Sequence, residues 1–185
     1  TIDGVQSTVD ANGKDLGWGK YSVNAMMKHW PGDGVGEGGR EAHSKYGKYA
    51  VYPGNNFQTQ LVPFVEGGLK LAGRTKMPSA VMTSYSIAWS KEGAWGEKVG
   101  SAYSDFKIGL LRSKYKFDGV ICTDWCVTHS PGEGIKGLST AWGLEKGYTE
   151  AERHYKALMA GVDQFGGNND KQPVLDAYAM GVKEH

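Results

Sequence analysis

Asp124 closes the run Lys116-Phe117-Asp118-Gly119-Val120-Ile121-Cys122-Thr123-Asp124-Trp125, in which a short apolar stretch ends on a carboxylate. Val120, Ile121 and Cys122 are compact, apolar or β-branched, and follow Gly119, which is the composition of a strand buried in a parallel sheet. Alternation along such a strand puts Cys122 and Asp124 on one face and Ile121 and Thr123 on the other. If the strand lines a barrel, Asp124 faces inward at its C-terminal rim, where barrel enzymes keep their chemistry. A carboxylate in that place is a candidate nucleophile. Position alone also fits an Asp that starts a loop or caps the next helix.

A second cluster is Lys28-His29-Trp30-Pro31-Gly32-Asp33-Gly34. Lys28 and His29 can donate hydrogen bonds to several hydroxyls at once, and a cation near a nucleophilic carboxylate keeps it ionised. Taken alone, the pair also reads as a surface Lys and a satisfied loop His. The loop running on to Arg40-Glu41-Ala42-His43 is rich in glycine, which permits close backbone approach to a ligand. It carries neither a Gly-x-Gly-x-x-Gly opening a helix nor a Gly-Lys-Ser/Thr ending, so phosphate binding is poorly supported. His29, Asp33 and His43 are acceptable metal ligands by type, and a metal-dependent barrel hydrolase is one alternative. No regular His-x-His or Glu-x-x-His spacing supports it, and the site is expected to hold no metal or other cofactor.

The elements that must position these residues follow in order. Thr1 to Val9 reads as a helix tail without its beginning, and Val23 to Lys28 as a buried strand. Asn55 to Leu71 has helical apolar spacing with Pro63 as a kink or break. Ala80 to Tyr85 is a second strand, and Val99 to Tyr115 an amphipathic helix with Tyr103, Phe106, Ile108, Leu110 and Leu111 as candidate buried positions. That helix delivers the Asp124 strand. After a glycine-rich loop from Pro131 to Gly147, Thr149 caps a helix that runs to about Ala160, with acids facing its positive end. Val162 to Phe165 is a fourth, short strand, and Pro173 to Val182 a final helix.

The order is strand and helix in alternation, about four βα units, with long loops mostly after the strands. This predicts an α/β fold: a partial (β/α)8 TIM-type barrel, with residues 1–185 forming part of one catalytic domain. A closed barrel of this kind needs eight strands and roughly 250 residues. The reading is therefore a fragment, the C-terminal half of a barrel, that needs another chain or segment to close. An open doubly wound sheet is the alternative.

With 185 residues and 39% hydrophobic content, the chain can bury one substantial core. A net charge of +1, from 21 basic and 20 acidic residues, argues against nucleic-acid or membrane-surface partners. No apolar run approaches the roughly 18 residues of a membrane span. Cys122 and Cys126, four residues apart across a strand end, read as free thiols, which leaves the compartment undecided. Six Trp and ten Tyr on a chain with 28 Gly suit sugar faces, although they equally suit core packing.

Leu110-Leu111-Arg112-Ser113-Lys114 followed by Gly119-Val120-Ile121-Cys122-Thr123-Asp124-Trp125 resembles the nucleophile signature of the family 3 glycoside hydrolases, β-glucosidases and their relatives. Cys122 stands where an aliphatic is usual and Val127 where a small or polar residue is usual. Lys28-His29 followed by aromatic-Pro-Gly-x-Gly resembles the family's second landmark. Met82-Thr83-Ser84-Tyr85-Ser86 resembles its intervening strand, and Ala160-Gly161-Val162-Asp163 its last strand. Four landmarks in family order span Met26 to Asp163.

The resemblance implies a retaining exo-acting β-glycosidase that acts on a β-glucoside or oligosaccharide, with Asp124 forming the covalent glycosyl-enzyme. It implies that Lys28, His29 and Tyr85 hold the terminal sugar, that Tyr85 touches the nucleophile, and that Trp125 flanks the aglycone side. It also implies that the acid/base Glu lies in a C-terminal domain absent from this chain, so the fragment alone should be inactive. A periplasmic or secreted location is favoured by the resemblance alone. Glu41-Ala42-His43 superficially resembles the Asp-x-His of bacterial β-N-acetylglucosaminidases, at a different spacing from Gly34. That makes His43 an alternative acid/base, while the insertion Glu37-Gly38-Gly39-Arg40 looks more like a β-glucosidase branch. A non-catalytic sugar-binding remnant is the remaining alternative.

Overall fold

The computed structural model describes residues 1–131 and 140–184. Helix α1 (Ile2–Gln6) leads into a small antiparallel pair, β1 (Thr8–Val9) and β2 (Asp15–Gly17). The expected helix tail thus ends at Gln6, and its last residues pair as a strand. Gln6 is fully buried. Its amide accepts from Ser79 N at 2.8 Å and donates to the Met77 carbonyl at 2.9 Å, fixing α1 to the chain that enters the second main strand.

Strand β3 (Met26–Trp30) starts three residues later than the apolar pattern suggests and is not fully buried: Met26 and Lys28 are exposed and only Trp30 is enclosed. The reason is its place at a sheet edge, with β5 as its only strand partner among the described residues. After β4 (Tyr49–Val51) comes α2 (Phe57–Val62). At Pro63 the predicted helix changes to a wider π-helical turn, Pro63–Gly68, because proline brings no N–H to the ladder. Strands β5 (Ala80–Thr83) and β6 (Ile87–Trp89) follow, then a short 3₁₀ turn at Ser101–Tyr103, α3 (Asp105–Gly109), and a second π-helical turn, Leu110–Lys114. Ser104 caps α3 through Lys107 N. Strand β7 is Val120–Cys122. Helix α4 (Glu150–Ala160) opens on a reciprocal Thr149–Glu152 capping box, and α5 (Gln172–Glu184) packs on it.

The main sheet is parallel, in the order β3-β5-β7. A smaller parallel pair, β4 with β6, is built from the segments that follow β3 and β5. The predicted fourth strand is reduced to one parallel bridge between Cys122 and Gln164, beside β7. The side chain of Asp163 explains this reduction. Its Oδ2 takes the Ile121 N–H at 2.7 Å, so a carboxylate occupies the position a strand carbonyl would fill, while Ile121 O accepts from Asp163 N. Arg112 clamps the same carboxylate at 2.5 Å and donates to the carbonyls of Phe117 and Gly119, holding the β7 entry. Gly119 is required there, since a Cβ would sit 2.5 Å from the Ser79 carbonyl oxygen. Phe117, Ile121, Ile108 and Leu111 are buried between this sheet and α3 with its continuation. Among the other candidate core positions Tyr103 is fully buried, whereas Phe106 and Leu110 are only partly so.

Candidate active site

Three neighbouring strands bring their C-terminal ends to one carboxylate. Asp124, two residues past β7, receives the Tyr85 hydroxyl at Oδ1 (3.0 Å) and its neighbour's backbone N–H, from Trp125, at the same oxygen (2.6 Å). Its other oxygen, Oδ2, lies 3.1 Å from His29 Nε2. Tyr85 lies two residues past β5 and His29 near the end of β3. All of these groups therefore sit at the same end of the sheet.

Each position has a local cause. Between Met27↔Val81 and Trp30↔Thr83 the β3–β5 register gains one residue on β3, so Lys28 and His29 occupy a bulge, a device that re-aims side chains beside active sites. The Lys28–His29 and Trp30–Pro31 peptide bonds are both cis. The bulge turns the His29 ring onto Asp124, and Asp33 Oδ2 meets the other ring nitrogen at 2.8 Å. The imidazole thus joins two carboxylates. Residues 121–124 are all nearly buried, so the simple alternation of faces along β7 is not visible as exposure, yet Asp124 keeps 12% of its side-chain surface open.

Tyr85 is buried, and its hydroxyl donates also to the Trp125 carbonyl at 2.9 Å. Burial and the adjacent Asp124 charge push this phenol well above its ordinary range, so it stays a hydrogen-bond donor to the carboxylate. Burial, and then Asp124, push the Cys122 thiol up in the same way. Cys122 and Cys126 are both buried free thiols. The Trp125 ring is about half exposed and lies against Gly166 and Gly167. A Cβ at Gly166 would fall 2.4 Å from a carbon of that ring.

Lys28 is exposed on β3 and makes no ion pair with Asp124; the basic group on the carboxylate is His29. His43, from the glycine-rich loop, packs edge-on against Tyr85 with ring centroids 4.5 Å apart, and its Nδ1 meets Glu41 Oε1 at 2.5 Å. Burial raises the Glu41 carboxyl, but the hydrogen bonds from His43 outweigh it and hold the group below its usual range. His29, Asp33 and His43 are not gathered as a ligand set, and among the described residues no three His, Cys, Asp or Glu side chains form one. Two features escaped the sequence reading. Asp33 pairs with His29, which the i,i+4 spacing of opposite types signalled; the glycine seat under Trp125 had no local signal.

Residues 1–181 match the family described as glycosyl hydrolase family 3 N terminal domain. The chain is 37% identical over 185 residues to a periplasmic β-glucosidase/β-xylosidase of Dickeya chrysanthemi, with 92% of this chain and 27% of that protein covered. It is 34% identical over 166 residues to β-glucosidase C of Emericella nidulans, covering 89% of this chain and 25% of the relative. The chain thus spans about a quarter of the length of these curated relatives. Among solved structures, a family 3 β-N-acetylglucosaminidase from Paenibacillus sp. str. FPU-7 superposes with a TM-score of 0.61 at 25% identity, over 88% of this chain and 27% of that one. The strand order, the signature residues and the match over 1–181 agree, and the chain belongs to the N-terminal domain family of glycosyl hydrolase family 3.

Proposed function

We propose that this chain carries the nucleophile half of a retaining, exo-acting β-glycosidase, β-glucosidase-like in specificity. The observation that supports it most is the convergence of Tyr85, the Trp125 N–H and His29 on the two oxygens of Asp124. In this reading Asp124 attacks the anomeric carbon of a terminal sugar, the bond to the leaving oxygen breaks as a second carboxyl about 5 Å away protonates it, and water then releases the sugar from Asp124. Tyr85 and the backbone N–H fix the carboxylate for in-line attack. Lys28 binds hydroxyls of the terminal sugar, His29 joins it by exchanging one of its two carboxylate contacts for a sugar hydroxyl, and Trp125 flanks the departing group. The consecutive parallel order β3-β5-β7, with Gln164 next, supports about four βα units of a (β/α)8 barrel. The remaining barrel half, the C-terminal domain and its acid/base then come from another chain or segment. A periplasmic relative supports a periplasmic or secreted location.

The test is covalent labelling of the complete enzyme. A 2-deoxy-2-fluoro β-glycoside should trap an ester on Asp124, and Asp124→Ala should lose nearly all turnover and form a glycosyl azide when azide is added. A label on any other carboxylate would remove Asp124 from this role.

A second reading is favoured by one observation, the Glu41–His43 pair packed on Tyr85. There His43 is the acid/base and the substrate is a β-N-acetylglucosaminide. Strict dependence of turnover on the 2-acetamido group, together with loss of activity in His43→Ala, would select it over the β-glucosidase reading.

A further inference from the structure

Lys107 is a lysine buried to 1% exposure, with no carboxylate paired to it among the described residues. An ammonium in such a place is costly unless its protons are used, so its partners are informative. Nζ donates to the Ser86 carbonyl at 2.7 Å and to Ser101 Oγ at 3.0 Å. Ser101 Oγ in turn donates to the same Ser86 carbonyl at 3.1 Å and lies 2.7 Å from Ser84 Oγ. The proton count closes if Ser84 donates to Ser101: that oxygen then accepts from Ser84 and Lys107 and donates once. Ser84 and Ser86 are the residues on either side of Tyr85, and all three serines are buried.

The backbone of the same lysine reaches the other strand. Its carbonyl accepts the Trp30 indole N–H at 2.9 Å, and Trp30 directly follows His29. The Trp30 carbonyl also accepts from Ser84 N at 2.7 Å. One residue of α3 therefore grips the chain beside both side chains that hold Asp124. Gly100, next to Ser101, packs so closely that a Cβ there would lie 2.9 Å from the Tyr85 carbonyl oxygen, which leaves that segment little room to shift.

We infer that Lys107, acting with Ser101, is a positioning residue for the glycosidase chemistry proposed above, setting where the Tyr85 hydroxyl and the His29 ring meet the nucleophile. Lys107 touches neither Asp124 nor the place of the substrate; it acts through Ser86 and Trp30. Asp33, on the loop after β3, is the charge that favours the ammonium against the cost of its burial, and it is the same residue that pairs with His29. The inference rests on the reading of Asp124 as nucleophile.

The experiment compares the complete wild-type enzyme with Lys107→Met and Ser101→Ala. The fraction of competent sites is counted by 2-fluoroglycoside trapping, and kcat is expressed per competent site. A purely structural lysine would lower the number of competent sites and leave kcat per site alone. The expected result is a fall in kcat per site of about 10- to 100-fold in Lys107→Met and about 3- to 10-fold in Ser101→Ala, with KM changing less than about 3-fold. Ser101→Ala removes one hydroxyl and keeps the inference testable should Lys107→Met fail to fold. If the wild type is labelled at Asp124 and both soluble variants, or Ser101→Ala alone, keep wild-type kcat per site, the positioning role is overturned while the glycosidase reading stands. If the wild type is not labelled at Asp124, both fall together.

Discussion

The hydroxyl of Tyr85 spans the ends of two neighbouring strands, donating to Asp124 Oδ1 at 3.0 Å and to the Trp125 carbonyl at 2.9 Å. One proton is shared between these acceptors, so the phenol fixes both the carboxylate and the peptide that follows it. Removing it with Tyr85→Phe keeps the ring and its packing on His43 but frees the carboxylate to rotate. Loss of a hydrogen bond to a charged group is worth about 1.5–3 kcal/mol, so kcat/KM in the complete enzyme should fall about 10- to 150-fold. Steady-state kinetics on an aryl glycoside measures this, and an unchanged value would show that the Trp125 N–H and His29 suffice.

Lys28 and His29 are adjacent in sequence but unequal in place. Lys28 is exposed on the bulge, whereas His29 meets both Asp124 and Asp33. In the complete enzyme both alanine variants should weaken transition-state binding by about 2–4 kcal/mol, with His29→Ala the more damaging because it also strips a partner from Asp124, the proposed nucleophile. Equal and negligible effects in kcat/KM would return both to ordinary surface residues.

Lys107 should leave a signature in stability against pH. Burial pushes its ammonium down to about 7, from an ordinary value of 10.5, with the Asp33 charge opposing the shift. Between these two values the unfolded chain binds the proton and the folded chain does not, so this residue makes stability rise with pH across that window, by up to about 1.4 kcal/mol per pH unit. Below about pH 7 both states are protonated and the contribution is flat. Urea unfolding at several pH values should show this rise in the wild type and not in Lys107→Met.

Gly166 seats the Trp125 ring. Its missing Cβ would lie 2.4 Å from that ring and 2.6 Å from the Thr123 carbonyl oxygen, so Gly166→Ala must displace one of them. The expected cost is on the order of 1–3 kcal/mol in urea unfolding, as for other overpacked sites. Gly109→Ala is the control, since nothing lies within 4 Å of a Cβ at that helical position, and it should be neutral or stabilising by up to about 1 kcal/mol.

The sequence by itself determined the elements whose cause is local. Thr149 and Glu152 carry a capping box within four residues, Pro63 marks the point where α2 changes its winding, and the compact run at 120–122 forms a strand whose Ile121 and Cys122 are buried while Val120, at its start, stays exposed. It also pointed to three residues that the fold brings together, because Asp124, Tyr85 and His29 each sit at or just past a strand end. Tertiary structure alone decided how they meet. The β3 bulge sends His29 rather than Lys28 to Asp124, because an inserted residue is defined only against a partner strand 54 residues away, in the pairing of Met26 with Ala80. The fourth strand collapsed to one bridge because the Asp163 side chain took a backbone N–H, a competition that no local pattern encodes. The pairing of β4 with β6 was likewise invisible, since three-residue runs in a glycine-rich context become strands only when each finds the other. The buried Lys107 reads in sequence as one more surface lysine of an amphipathic helix; only the packing of α3 against the ends of β3 and β5 turns its ammonium inward to the residues that flank Tyr85.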